Sequence, residues 1–575
     1  MSGRGVTLEE VISSSLAAVA DEMLAGLIRA AYSPNIKERA DCSTSVFTAD
    51  GETVAIASSA PLHLGALNGM VRAIHDRLRR DGVQPGDVWI GNDPYVCGGT
   101  HLNDIAVVTP VVHGGEVVAF LANLAHHADV GGRTPGSESG DNTSIFQDGL
   151  RLPPMKLADA GRVRQDVVDL VLLNSRTPDE RIGDLRAQLA ALHVGRRRMD
   201  EILDRYGAVE LAGSMTVYMA ATEARFRAAV RALPDGTYCA EDFLDDDGLG
   251  GPPVRLAVTV TVADDNIAFD FGDTDPQVPS GKNMSPGGLG ATVYYALKAL
   301  VDPGVPDNSG YFRAVTIACP EGNLLRPRPP AAVGSRALTG MILADVIFAA
   351  LAPAVPARAM ARSGPYQGVI FSGINPASGR FYVDYENFAG GTGARTLGDG
   401  ADCMQVHITN TSNLPIEAFE AEFPMTVERF ELIRDSGGSG RFRGGLGVRR
   451  DFRVGADARL AVRSARQQHP ALGAAGGLAG GFGSFVITGT DGVERRVAST
   501  ATDVRLASGE LVSVRTPGGG GYGDPLERAP ERVAADVAEE RLTPVVALRD
   551  YGVVIRGSAL DREATERVRG ERRRG

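Results

Sequence analysis

Apolar residues recur at spacings of three and four between residues 8 and 32. Ile12, Leu16, Val19, Met23 and Leu27 make one stripe, the mark of an amphipathic helix. Thr7, followed by Glu9 and Glu10, puts a capping oxygen and acids at its start, and Ser33-Pro34-Asn35 stops it. The period then changes to that of strands at 45–47 and 53–57, around a turn at Asp50-Gly51. Helical spacing returns over 63–78, with Leu64, Leu67, Val71 and Ile74 on one face. Two β-branched runs follow, 105–112 and 117–125, separated by Gly114-Gly115. They predict an antiparallel hairpin.

Beyond the hairpin, 131–149 is rich in Gly and Ser. It reads equally as a mobile loop over a site or as a surface connection. Helices are predicted over 165–174, 179–206 and 211–233, then strands over 255–262 and 266–271 around Asp264-Asp265. A long polar loop, a helix at 291–301, a proline-rich extended piece at 323–334 and a buried helix at 341–351 come next. From about residue 371 glycine rises, and strands such as 459–463 and 484–488 fall between Gly-rich pieces, a pattern of β-structure with tight turns. The final stretch, 527–567, reads as short helices around a strand in YGVVI. The predicted class is α+β and multidomain, with mixed and antiparallel sheets, helices and a glycine-rich β C-terminal region. The expected divisions are 1–232 (the metal-site part), 233–370 (α+β), 371–526 (glycine-rich β) and 527–575 (a helical tail).

The hairpin is where the chemistry concentrates. Residues 91–132 hold His101, His113, His126 and His127, four of the nine histidines. His101 lies in THLND and the adjacent pair in AHHADVGG. These clusters fall at the start of the first strand and the end of the second, which is one end of a hairpin. His101, Asp104 and His126 could therefore share a metal ion, and imidazole with carboxylate suits Zn, Mn or Fe(II). His126 and His127 point to opposite faces if the strand continues, so one of them would be the ligand. Taken singly, each of these histidines reads more simply as a polar group capping a strand end; the clustering favours the metal. Upstream, Asp41 is a candidate fourth ligand, and Glu38 with Arg39 a positioning pair. From that stretch alone, a surface ion pair and a turn-forming Asp is the simpler reading.

Composition narrows the picture. The chain of 575 residues is 43% hydrophobic and 23% charged, as in globular proteins, with 71 glycines and a net charge of −12. That charge, with no basic stripe, argues against a nucleic-acid surface. Five scattered cysteines without Cys-x-x-Cys fit a reducing cytoplasm and no thiolate zinc site. The N-terminus lacks a signal-peptide pattern. The longest apolar run, 341–361, is broken by Asp345, Pro353 and Pro356, short of a membrane span. There is no G-x-x-x-x-G-K-[ST] and no G-x-S-x-G. Cys97 and Cys403 each precede a histidine by four residues, but small buried thiols are the better reading of both.

The segments NDPYVCGGTHLND, HHADVGG and IKERADCS resemble the hydantoinase B/oxoprolinase family. That family includes B subunits of ATP-dependent N-methylhydantoinases and caprolactamase, the second half of 5-oxoprolinase, and related subunits of acetone and acetophenone carboxylases. NSRTPDERIGDLRAQLAAL, DNSGYFR, GGTGAR, TNTSNLPIEAFE, DSGGSGRFRGGLGVRR and TPGGGGYGDP extend the likeness over nearly the whole chain. Cys42 departs from the aromatic expected after the Asp, but the acid remains. The resemblance implies a hydantoinase A-type partner that binds ATP and phosphorylates a carbonyl or enol oxygen of the substrate, in keeping with the missing phosphate loop here. It implies a divalent metal, Zn or Mn, on Asp41, His101, Asp104 and His126, with His127, Asp129 and Glu38 moving protons or supporting the ligands. The activity implied is ATP-dependent ring opening of a hydantoin, 5-oxoproline or lactam in a hetero-oligomer. The rivals are a ketone carboxylase subunit and a docking subunit whose metal is structural.

Overall fold

The computed structural model describes residues 7–58 and 60–574. Helix α1 (Leu8–Ala30) opens with a reciprocal cap: Glu10 N donates to Thr7 Oγ1 and Thr7 N donates to the Glu10 carboxylate. By length and composition α1 is apolar enough to cross a membrane, although Asp21 and Glu22 interrupt its apolar run in the sequence. Here its stripe, from Ile12 to Leu27, is buried in the protein. A short α2 (Pro34–Lys37) follows.

Seven strands then make one antiparallel sheet: β1 (Cys42–Thr48), β2 (Thr53–Ser58), β3 (Val88–Gly91), β4 (Asp104–His113), β5 (Glu116–His126), β6 (Met155–Asp159) and β7 (Arg162–Val163). Their order is β2-β1-β5-β4-β3-β6-β7. Helix α3 (Ala66–Asp81) covers one face, while α4 (Gln165–Leu173) and α5 (Pro178–Tyr206) join α1 on the other. The alternation of β4 divides accordingly. Ile105, Val107 and Val111 pack with Ile12, Leu16 and Leu185, whereas Ala106 and Val108 pack with Leu67, Val71 and Ile74. Both faces are covered, so β4 and β5 read as continuous apolar runs. Each buried Leu or Ile here contributes about 1.5–3 kcal/mol.

Helix α6 (Ala208–Arg231) leads to a second sheet of β8 (Gly236–Leu244), β9 (Val254–Ala263), β10 (Asn266–Asp270) and β11 (Val315–Ala318), ordered β11-β10-β9-β8. Strand β8 gives no clear signal in the sequence because it is a half-exposed edge with few apolar residues. The sheet packs with α7 (Pro286–Leu300), the short α8 (Ser309–Phe312) and α9 (Arg336–Leu351). Helix α9 starts at Arg336, five residues before the apolar run that announced it. This core also takes in Tyr366, Ile408 and Ala465 from later in the chain.

A short pair of strands, Ile555–Arg556 with Ala559–Leu560, lies near the chain end, and the other remaining strands form two facing sheets. One is β12 (Gln367–Ile374), β13 (Phe381–Phe388), β16 (Ala458–Arg463) and β19 (Thr500–Leu506). The other is β14 (Met425–Leu432), β15 (Val448–Val454), β17 (Ser484–Thr488), β18 (Glu494–Val497) and β20 (Leu511–Arg515). Phe371 and Val462 from the first meet Phe452 and Val514 from the second. Helix α10 (Ile416–Glu422) lies before β14, and α11 (Pro530–Ala538), α12 (Pro544–Tyr551) and α13 (Arg562–Arg572) end the chain. Tyr551 of YGVVI closes α12, and only Ile555 of that segment is strand.

The glycine-rich pieces do more than turn. They lie backbone against backbone: Gly391 N donates to Pro517 O at 2.9 Å, Gly445 N to Thr392 O at 2.8 Å, Gly519 N to Gly445 O at 3.0 Å and Gly438 N to Gly519 O at 2.8 Å. A Cβ on Gly518 would sit 1.8 Å from Ser436 O, and one on Gly391 1.9 Å from Gly445 O. Neither of these glycines has a positive φ, so the demand is for space between chains.

Candidate metal centre

Gly114 (φ +60°) and Gly115 (φ +89°) make the tight turn between β4 and β5. That turn pairs His113 with Glu116, a bulge at Val111/Val112 then shifts the register by one, and at the far end Asp104 is paired with His126 across the ladder. His101 belongs to the turn just before β4, where Asp104 N donates to His101 O at 3.3 Å. One ligand atom from each of His101, Asp104 and His126 lies within 4.8 Å of the others, and all three residues are buried. His101 Nε2 is 3.1 Å from Asp104 Oδ1. His113, at the turn end, is exposed and far along the strand.

The other proposed residues separate. Asp41, half-buried beside β1, faces His63: its Oδ1 is 3.7 Å from His63 Nε2. His127 leaves the strand toward α5, where its Nε2 meets Gln188 Oε1 at 3.0 Å. Asp129 serves the following loop. It accepts from Gly131 N, Gly136 N and Arg176 N, each at 3.1 Å, and pairs with Arg176 Nη1 at 2.8 Å. Glu38 ends α2 on an exposed surface. The structure therefore does not bring His127, Asp129 or Glu38 to the cluster. Strand alternation turns His127 away, loop capping occupies Asp129, and solvent takes Glu38.

Groups from elsewhere in the chain complete the site. The loop after β5 is neither mobile cover nor surface connection: Ser137, Glu138, Ser139 and Asn142 are buried, and Glu138 enters the cluster. Its Oε1 is 3.1 Å from both His101 Nδ1 and His126 Nε2. Its Oε2 accepts from Tyr385 OH at 2.7 Å and meets the buried Arg463 guanidinium. Arg336, in the first turn of α9, reaches Glu138 Oε1 at 3.2 Å and Asp104 Oδ2 at 3.3 Å. His63, in the turn before α3, has Nε2 4.0 Å from Asp104 Oδ1 and Nδ1 2.7 Å from Ser43 Oγ. Asn35 donates from Nδ2 to His126 Nδ1 at 2.7 Å, while its Oδ1 accepts from Arg39 Nη1 at 3.0 Å. Arg39 in turn pairs with Glu386 at 2.8 Å. Apart from Arg39, named above as half of a positioning pair, no local signal marks these residues, since they come from widely separated parts of the chain. His63, read as the first residue of a predicted helix, in fact precedes α3.

The donor set fits a divalent cation. Both nitrogens of His101 and Asp104 Oδ1 are buried and lack a hydrogen bond of proper geometry, a costly condition unless something else satisfies them. Asp104 Oδ2 is already committed to Thr100 and Arg336, which leaves Oδ1 free for an ion. Burial, reinforced by the Arg336 guanidinium, holds the His101 imidazole neutral, with its pKa well below the usual value. Burial likewise pushes His126 down to about 4 and His127 to about 4. Burial alone would raise Asp104, but the His101 ring and Arg336 outweigh it and hold the carboxyl well below its usual range. Neutral imidazole and ionised carboxylate are the forms that bind metal.

With this geometry in view, the chain's relations are plain. It belongs to the hydantoinase B/oxoprolinase family, whose model matches residues 6–525. It is similar to the putative D-/L-hydantoinase B subunit of Pseudomonas sp. (strain NS671), 34% identical over 577 residues and covering 97% of each chain. Its fold matches the crystal structure of the ATP-dependent caprolactamase from Pseudomonas jessenii with a TM-score of 0.91 and 29% identity, over 99% of this chain and 100% of that one. A nucleotide-free acetone carboxylase structure also reaches a TM-score of 0.91, over 99% of this chain and 83% of that one, but at 20% identity this is a likeness of fold alone.

Proposed function

We propose that this chain is the metal-holding B subunit of an ATP-dependent cyclic amidase. It would open a hydantoin, 5-oxoproline or related lactam ring on an intermediate phosphorylated by a hydantoinase A-type partner. The observation that carries the reading is the convergence of His101, Asp104 and His126, with both His101 nitrogens and Asp104 Oδ1 buried and lacking a hydrogen bond of proper geometry among the described residues, in a member of this family. ATP is assigned to the partner by the family resemblance, and the lack of a phosphate-loop lysine motif in this sequence is in keeping with it. The relatives named as hydantoinase and caprolactamase favour a ring amide over a ketone.

His101, Asp104 and His126 would hold zinc or manganese, with Asp41 and His63 facing the same space. When bound, such an ion acts as a Lewis acid and lowers the pKa of water. The chain's own groups prepare the site around it. Thr100 and Arg336 fix one oxygen of Asp104 and so orient the other. Glu138 Oε1, beside His126 Nε2 and Arg336, is placed to hold a proton at the edge of the cavity. Tyr385 and Arg463 fix its second oxygen.

Elemental analysis of the purified chain tests the centre. Stoichiometric zinc or manganese is expected in wild type and in His127→Gln, and loss of it in His101→Ala and Asp104→Ala with the fold retained. A wild type that stays free of metal after reloading refutes the centre. Turnover with the A-type partner and ATP should then depend on a lactam. Dependence on bicarbonate and a ketone instead would replace the amidase with a carboxylase.

A further inference from the structure

The proposed centre opens onto a narrow cavity whose far wall has no assigned role. It is lined by Asp41, His63 and His126 together with the first turn of α9, Ile408, Thr409 and Thr411. Its volume is about 30 Å3, room for about two water-sized atoms. Three features of that wall favour negative oxygen.

Arg336 is the first, buried to 4% exposure and lining the cavity. Its bonds to Thr100, Asp104 and Glu138 use Nε, both Nη2 protons and one Nη1 proton. One Nη1 proton is left among the described residues. The second is the start of α9, a helix of 16 residues whose N-cap Ser335 makes no side-chain cap bond. Arg336 and Ala337 bring this end to the cavity; Arg336 N donates to Val333 O at 3.2 Å, and the amides that follow it at a helix start attract anions. The third is Thr411. Its Oγ1 is buried with no hydrogen-bond partner among the described residues, the residue is 8% exposed, and it lines the same cavity. A buried hydroxyl without a partner is unusual, and here it faces the space that a ligand would fill.

Charge determines when this wall is attractive. Asp41, Asp104 and Glu138 contribute three negative charges, and Arg336 and Arg463 two positive ones, a balance of −1. A divalent ion changes that to +1. We infer that the wall formed by Arg336, the α9 start and Thr411 is an oxyanion subsite. It receives a phosphoryl or carboxylate end of the substrate once the metal is in place. The inference rests on the metal-centre reading and adds to it the part of the substrate that enters first. The cavity's size suits one or two oxygens of such a group, leaving the apolar remainder of the ligand outside.

The test is a titration of the full chain with inorganic phosphate and, separately, with acetate, with and without stoichiometric zinc. Wild type is compared with Thr411→Val, Thr411→Ser and Arg336→Met, and metal content is measured on every sample. Anion binding is expected to be tighter with metal. It should weaken about fivefold in Thr411→Val, the loss of one hydrogen bond, and at least about tenfold in Arg336→Met, the loss of a charge-assisted one. Thr411→Ser should restore it, and metal content should stay unchanged in both Thr411 variants. Tighter phosphate marks a phosphoryl subsite, and tighter acetate a substrate carboxylate. Equal affinity of wild type and Thr411→Val for both anions overturns the subsite, even with the metal present. Absence of metal from wild type counts against the centre instead.

Discussion

Replacing Asn35 by aspartate tests how His126 presents a nitrogen to the metal. Arg39 Nη1 donates to Asn35 Oδ1 at 3.0 Å, so the amide turns its Nδ2 to His126 Nδ1 at 2.7 Å. Nδ1 is therefore the acceptor, and the proton of the neutral ring sits on Nε2, the nitrogen 3.1 Å from Glu138. A metal ligand needs that lone pair free. Moving the proton to Nδ1 sets two donors against each other at Asn35, and turning the amide moves the same conflict to Arg39. Either way one buried hydrogen bond is lost, about 1–3 kcal/mol. Aspartate removes the conflict, with one oxygen accepting from His126 Nδ1–H and the other from Arg39. Metal affinity should then rise about 10–100-fold, the usual scale for groups that orient a metal-bound imidazole. The assay is chelator competition at neutral pH, with Asn35→Ala as control. Alanine frees both tautomers without adding charge, so a smaller rise of a few fold is expected there. Unchanged or weaker metal binding in Asn35→Asp refutes the reasoning, and a gain confined to aspartate assigns the effect to charge alone.

Other outcomes follow from the packing and the buried charges. Asp148 is buried, with its oxygens accepting from Asn142 Nδ2 and Val333 N, and burial raises its pKa from 3.8 to about 7. Its folded pKa is raised, so its contribution is full below pH 3.8 and lost as pH rises through 7. That loss is worth about 4 kcal/mol. Calorimetry from about pH 4 to about pH 8 should show most of the decline in wild type, levelling above about 7, and a flatter profile in Asp148→Asn. Gly518→Ala, with its Cβ 1.8 Å from Ser436 O, should lose about 3 kcal/mol in chemical denaturation. Gly213→Ala, in helix α6 with nothing within 4 Å of the new atom, should instead gain about 0.5–1 kcal/mol. Equal effects at the two positions would refute the close backbone packing of the glycine-rich segments.

Whatever local periodicity and turn chemistry control was legible in the residues alone. The stripe of α1, the strands around Asp50-Gly51 and the hairpin around Gly114-Gly115 stand where spacing put them. The turn also put the two polar clusters at one end of the hairpin, but a bulge at Val111/Val112, which the spacing did not announce, is what sets Asp104 opposite His126. The face a side chain takes after a strand ends, and what meets it there, depend on residues far away. Folding of the whole chain turned His127 to Gln188 on α5, bound Asp129 to Arg176, and left Glu38 in solvent. It also buried Glu138 with Arg336, Tyr385 and Arg463, which lie 198, 247 and some 325 residues further along the chain. The start of α9 at Arg336 carries no apolar signal, since it is the guanidinium's partners that place it. The glycine-rich region shows the same limit: composition revealed that side chains are missing, but the backbones occupying their space became visible only when the segments were packed together.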